Sequence, residues 1–260
     1  MKIIGMIHLK TLPGYPQHKN MEIVINQAVE DAKLLLAGRV DAILIENTDD
    51  DPHQKEVSPE ITSAFTIVAQ EVKNIIGELP LGICVLWNDY KSSLAIAKVV
   101  GAQFVRIPVF TEAVVTASGL IEANPYEIIS YRKRIEAEEI KIFADVQVKH
   151  AAMLAKRPLQ ESASEALHFG ADGIIITGRY TGDAPVIEDL KLVREHCPKA
   201  TIIIGSGTTP ENVNKFGKYA NQAIIGTFFK PNGMINVEKI KLIMAANNSY
   251  EHLKETKTSE

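Results

Sequence analysis

A chain of 260 residues has the usual size of one α/β barrel, and 46% hydrophobic residues supply the core such a fold needs. A net charge of only −4, with no basic stripe, excludes the electrostatic footprint of a nucleic-acid binder and gives no reason to adhere to anionic membranes. Two cysteines, Cys84 and Cys197, fall in different units; they read as inert thiols of a reducing compartment rather than as a disulfide. No apolar stretch is long enough to span a bilayer, and the opening Met1-Lys2-Ile3-Ile4-Gly5 runs into a strand pattern with no secretory leader, so a cytoplasmic protein is expected.

In chain order, Ile3–His8 is the first run rich in Ile, Val and Phe, followed by a long loop (Leu9–Asn20) and a helical pattern at Ala28–Leu36. Asp41–Asn47 leads into the loop Thr48–Glu60 and a helix over Ile61–Ile76, with Ser58-Pro59-Glu60 as its start signal. Leu81–Trp87, Phe104–Phe110, Lys141–Val148, Gly173–Gly178, Thr201–Gly207 and Ala223–Phe229 complete a set of eight strands. Small-residue turns (Gly38-Arg39-Val40-Asp41, Gly101-Ala102-Gln103, Gly170-Ala171-Asp172-Gly173) precede several of them, with glycine expected to end the previous helix in the left-handed conformation. Strands alternating with helices call for parallel βαβ units. A doubly wound sheet is the competing architecture, but eight units favour a single (β/α)8 TIM barrel over residues 1–248. Ser249–Glu260 reads as a polar, frayed tail. The long loops, including Thr111–Pro125 and Arg179–Asp189, all follow strand carboxyl ends, where barrel enzymes place their working residues.

The clearest ligand signal is Ile204-Gly205-Ser206-Gly207-Thr208-Thr209-Pro210-Glu211, a glycine turn opening a capped helix start, beside a second small ledge at Gly226-Thr227. Free amides at such turns favour an anion, so Gly205, Ser206, Gly207, Thr208, Thr209, Gly226 and Thr227 are expected to bind phosphate. The plain alternative is that these glycines only permit tight barrel turns.

Alternation assigns the pocket floor. In Lys141–Val148 the apolar row Ile142, Ala144, Val146 and Val148 belongs under the helices, which turns Phe143, Asp145, Gln147 and Lys149 inward. The same logic turns Glu46, Arg106, His8 and Thr177 inward, and places Trp87 and Asn88 at the rim. Arg106 needs a partner, Asp145 or Glu46. The cluster reads either as an ion-pair plug or as a general acid/base set of Glu46 and Asp145 beside His8, with Arg106 as orienting charge and Asn88, Gln147 and Thr177 lining the pocket. No ligand spacing supports a metal, His150 falls on the opposite row, and Asp49-Asp50-Asp51 reads as a solvated turn; no metal and no cofactor are expected. Lys149 and Lys230 are candidate Schiff-base amines without a supporting motif.

The opening Ile4-Gly5-Met6-Ile7-His8-Leu9-Lys10-Thr11-Leu12-Pro13-Gly14-Tyr15-Pro16 resembles the start of the BtpA family, whose name comes from photosystem I biogenesis. Asp41–Asn47, Phe104-Val105-Arg106-Ile107, Ala144–Ala151 and Gly205-Ser206-Gly207 extend that likeness along nearly the whole chain. The resemblance implies a phosphate-binding-type barrel. A looser similarity, to the tryptophan synthase alpha subunit, rests on Glu46 and on the Gly205–Asn212 turn; in that family the strand-two glutamate is catalytic, but Asn47-Thr48-Asp49-Asp50 departs from its pattern. The expected function is an isomerase or lyase acting on a small phosphorylated metabolite. The alternative is a non-catalytic assembly factor that binds partners on the barrel's outer surface. The expected partner is a small phosphorylated ligand, with no nucleic acid and no membrane embedding; a homo-oligomer is compatible with the sequence.

Overall fold

A computed structural model describes the backbone of residues 1–257 and the side chains through residue 248. In chain order the strands are β1 (Lys2–His8), β2 (Ala42–Glu46), β3 (Leu81–Cys84), β4 (Phe104–Ile107), β5 (Ala113–Thr116), β6 (Gly119–Glu122), β7 (Lys141–Val146), β8 (Ala152–Met153), β9 (Gly173–Ile176), β10 (Ile202–Ile204) and β11 (Gln222–Ile225). The helices are α1 (Met21–Ala37), α2 (Pro59–Ile76), α3 (Tyr90–Val100), α4 (Pro125–Arg134), α5 (Leu159–His168), α6 (Ile187–His196), α7 (Val213–Phe216) and α8 (Val237–Lys257). Eight parallel strands close a barrel in the order β1-β11-β10-β9-β7-β4-β3-β2, each corresponding to one of the eight apolar runs. The polar tail expected from residue 249 lies, in its side chains, outside the described residues.

The alternation rule separates two cores. Ile142, Ala144 and Val146 join the large apolar layer between strands and helices. Phe143 faces the axis with Ile4, Met6, Leu44, Phe104 and Ile203. Fully burying each such side chain is worth about 1.5–3 kcal/mol. Two tilted phenylalanines, Phe104 and Phe143, fill the centre with ring centroids 5.1 Å apart. They fit because Gly82 and Gly173 stand beside them; a Cβ on Gly82 would meet the Phe104 ring at 2.1 Å. Among the described residues no helix is long and apolar enough to cross a membrane. Both cysteines are buried and free.

Three local features differ from the sequence expectation. The segment Thr111–Pro125 is not a plain loop: β5 and β6 form a hairpin, and β8, from the loop after β7, pairs with β5 to make a three-stranded antiparallel sheet over the barrel mouth. Its underside buries Val109, Val114, Ile121 and Val148. Gly38 is right-handed (φ −77°), and Arg39 takes the left-handed turn instead (φ 62°). The glycine is needed for packing, since a Cβ there would meet Ile240 of α8 at 2.5 Å. Finally, Thr209-Pro210-Glu211 does not open a helix; it forms a turn, in which Asn212 Oδ1 accepts from the Thr209 amide at 2.8 Å, and the helix after it spans only Val213–Phe216.

Candidate active site at the barrel mouth

The carboxyl ends of the strands open into a cavity of about 460 Å³. Its floor is built by register. His8 and Glu46 are paired neighbours on β1 and β2, and Arg106 rises from β4. Arg106 donates from Nη1 to Glu46 Oε2 at 2.9 Å, and from Nε and Nη2 to Asp145 Oδ1 and Oδ2, both at 2.8 Å. The guanidinium therefore meets both carboxylates. The two are not equivalent: the Asp145 side chain is wholly buried, both its oxygens face Arg106, and it does not line the cavity. Glu46 does line it, and its second oxygen accepts from the Thr48 hydroxyl at 3.1 Å.

Burial is the largest influence on the Glu46 carboxyl and pushes its pKa up, but Arg106, His8 and Lys149 together bring it below its ordinary value. Glu46 is thus ionised at neutral pH. Burial pushes His8 down to about 4 against the pull of Glu46, so its imidazole is neutral there. Lys149 also lines the cavity, and burial, reinforced by Arg106, lowers its pKa. Lys230, the other candidate amine, is withdrawn into an ion pair with Asp31 at 3.1 Å.

On the opposite side lie the two expected ledges. Gly205, Ser206, Gly207, Thr208 and Thr209 line the cavity from β10, and Gly226 and Thr227 from β11. Within the described residues the amides of Ser206, Gly207 and Thr208 make no hydrogen bond, and neither do those of Gly226, Thr227 and Phe228. Thr208 is 2% exposed, yet its hydroxyl has no partner. Buried polar groups are ordinarily paired, so this is a set of donors left without acceptors. Other parts of the turn are already engaged. Ser206 Oγ accepts from the Gly178 amide at 3.1 Å and donates to the Asp183 carbonyl at 2.6 Å, so this side chain ties down the β9 loop instead of facing a ligand. The glycines answer to protein neighbours: a Cβ on Gly207 would meet the Ala184 amide nitrogen at 2.3 Å, and one on Gly226 would meet the His8 ring at 2.9 Å. The tight-turn explanation therefore accounts for the glycines, and the unpaired donors carry the anion argument.

Three expected pocket residues lie elsewhere. Asn88 brackets Val109, donating to its carbonyl and accepting from its amide, both at 2.8 Å. Thr177 packs against Gly205 below the cavity. Gln147 leaves the inner row because β7 ends at Val146 and Gln147 is left-handed (φ 51°), so its side chain donates to the Arg157 carbonyl at 2.9 Å. The same twist breaks the alternation beyond it: Val148, expected under the helices, packs beneath the hairpin, and His150 reaches the cavity wall. The sequence also did not single out His53, Ala117 and Thr181, which enter from loops, where no periodicity exists to place them.

The loop signature of the opening segment has a structural role as well. Asp50, expected to be solvated, is 1% exposed; it accepts from the Leu12 amide at 2.8 Å and from Asn47 Nδ2 at 3.1 Å, while Asn47 Oδ1 accepts from the Leu86 amide at 2.7 Å. The loops after β1, β2 and β3 thereby form one braced rim.

The family model described as the BtpA family matches residues 1–249. A Synechocystis protein named photosystem I biogenesis protein BtpA is 39% identical over 237 residues, covering 90% of this chain and 82% of that one. An uncharacterized protein of Archaeoglobus fulgidus is 37% identical over 244 residues, covering 94% and 97%. Among solved structures, thiamine phosphate pyrophosphorylase from Pyrococcus furiosus matches with a TM-score of 0.62 at 15% identity, covering 96% of both chains. N-(5′-phosphoribosyl)anthranilate isomerase from the same organism matches with 0.59 at 13%, covering 96% of this chain and 100% of that one. At these identities the structural likeness establishes the barrel fold and nothing finer.

Proposed function

Because the chain belongs to the BtpA family and its cavity sets unpaired anion donors opposite an ionised carboxylate, we propose that it is an enzyme of the isomerase or lyase class acting on a small phosphorylated metabolite. The observation that carries this reading is the buried, partnerless Thr208 hydroxyl among free amides of two adjacent strand ends. Phosphate oxygens are the kind of acceptor these donors lack, in the place where barrels hold phosphate. Both solved neighbours quoted above carry a phosphorylated group in their names, which accords with it.

Across the cavity, Glu46 serves as the base. It is ionised, it reaches the cavity, and Arg106 fixes its orientation from below. Neutral His8 beside it donates or accepts a hydrogen bond at a carbonyl or hydroxyl oxygen without bringing a charge. Asp145 fixes Arg106 and takes no proton in the reaction. The scheme needs no metal or cofactor.

The test is thermal stabilisation by inorganic phosphate and by phosphorylated sugars. At about one hundred times Kd, binding raises stability by about 2.7 kcal/mol. Gly207 is a poor position for the control, because any side chain there collides with Ala184. Thr208→Val is the better one: it removes a hydroxyl that bonds to nothing in the protein, so the unliganded melt should hold while phosphate affinity falls about tenfold, or about 1.4 kcal/mol. Absence of any shift with every phosphorylated compound tried would refute the reading.

A second reading, a non-catalytic assembly factor, is favoured by one surface feature. Val115, Leu120 and Leu154 expose 45%, 38% and 63% of their surface on the outer face of the mouth sheet. The name of the Synechocystis relative points the same way. Under this reading Leu154→Lys abolishes partner capture from cells, and the cavity variants do not.

A further inference from the structure

Lys149 is the one cavity cation that the acid–base scheme leaves idle, and the chain is shaped to present it. Two non-glycine residues flank it in the left-handed backbone region, Gln147 (φ 51°) and His150 (φ 61°). Side chains rarely adopt that conformation, and where they do the surroundings must impose it. Here they do: the Gln147 amide donates to the buried Glu112 carboxylate at 2.8 Å, and His150 Nε2 lies 2.8 Å from Thr181 Oγ1. The effect is to reverse the chain after β7, seating Val148 beneath the hairpin and turning Lys149 into the cavity.

Its ammonium makes no hydrogen bond or ion pair among the described residues, although Arg106 nearby holds two carboxylates. Lys149 is coupled electrostatically to Arg106, Glu46, Asp145 and Cys84, and also to His8 and His150, so it shares the floor's field with Glu46. The amine faces the same cavity as Glu46.

We propose that Lys149 forms a covalent imine with the carbonyl group of a phosphorylated aldehyde or ketone. This inference rests on the phosphate reading above for the other end of the substrate. The free amine attacks the carbonyl carbon, and Glu46 carries one nitrogen proton to the carbonyl oxygen. A second proton, from solvent, lets that oxygen leave as water. The positively charged imine left behind draws electrons from the adjacent carbon, so Glu46 can then take a proton there, or a neighbouring carbon–carbon bond can break. Burial and the field of Arg106 favour the uncharged amine that this chemistry starts from.

Reductive trapping tests it. The whole protein is incubated with dihydroxyacetone phosphate or ribose 5-phosphate and cyanoborohydride, alongside the same reaction with unphosphorylated dihydroxyacetone, and the modified lysine is located by peptide mass mapping. The expected result is one adduct on Lys149, exceeding that on the exposed lysines by on the order of tenfold or more because the carbonyl is held beside the amine. It should vanish in Lys149→Arg and in Lys149→Met. Equal labelling of Lys149 by the phosphorylated and unphosphorylated ketones keeps the imine and removes the phosphate reading. If inorganic phosphate stabilises the fold while neither phosphorylated probe labels Lys149 above the exposed lysines, the inference is overturned and the phosphate reading survives.

Discussion

The two sides of the cavity differ in how completely their polar groups are used. On the β2, β4 and β7 side, Arg106 distributes three hydrogen bonds over two carboxylates, and Asp145 has no oxygen turned to the cavity. On the β10 and β11 side, several backbone amides and the buried Thr208 hydroxyl have no acceptor among the described residues. A saturated cluster is what a fold needs, because a buried charge without its partner is expensive. An unsaturated one makes sense when a ligand completes it. Under the phosphate reading proposed above, the floor carries stability and the ledges carry affinity, with Glu46 at the boundary between them.

The largest expected effect is on the floor. Asp145→Asn supplies one oxygen where two are needed and turns an NH2 group against an Arg106 donor, so it should cost about 3–5 kcal/mol, the price of breaking a buried pair. Chemical denaturation measures it, and a variant as stable as the parent would contradict the division of labour. Glu46→Gln comes next. It keeps an amide oxygen for Arg106 Nη1 and loses only the charge, at about 1–2 kcal/mol, while phosphate stabilisation persists. Turnover, once a substrate is in hand, should fall about 10²–10⁴-fold, because an amide accepts no proton. A melt that collapses as far as that of Asp145→Asn would make both carboxylates structural.

The smallest effect concerns pH. Unfolded, His8 binds a proton near 6.5; folded, it stays neutral down to about 4. Between those values the unfolded chain holds more protons, so stability is full above pH 6.5 and declines as pH drops toward 4. His8→Asn should flatten that part of the melt-versus-pH curve, by about 1 kcal/mol at pH 5 after allowing for the solvent that reaches the ring. Glu46 acts in the same direction at lower pH, since its depressed pKa stabilises the fold above its unfolded value and is lost on acidification below it. An unchanged acid slope in the His8 variant would show that the imidazole is not desolvated.

The barrel could be read from the sequence because parallel strands buried on both faces are nearly continuous apolar runs, and all eight of them recur here at helix-length spacing. The inner row could be read as far as strict alternation holds, which carried His8, Glu46, Arg106 and Asp145 to one point. It failed at Gln147, where a left-handed residue ends the period of two that the rule depends on. The mouth hairpin did leave a trace, an Ala117-Ser118 turn followed by Gly119 between the apolar-rich Ala113–Thr116 and Gly119–Glu122, but it lay inside a stretch judged only by its length. Asp50 left none. Three consecutive aspartates look alike on paper, and only the meeting of the β1 and β2 loops selects the middle one as an acceptor.

The antiparallel sheet over the mouth has a bearing on how the molecule assembles. Its strands come from two different loops: β5 follows β4, β8 follows β7, and Val114 pairs with Met153 across them. Those loops spring from barrel strands that are themselves neighbours, Ile107 beside Ala144. Bringing the two halves of the roof together from a free chain would carry a heavy loop-closure entropy, but once β4 and β7 have joined, most of that cost has already been met. The roof is therefore a late addition to a finished wall, held by few ladder bonds and one small apolar cluster. By the same reasoning it is the first part to open, and it can do so while the eight strands beneath it stay closed.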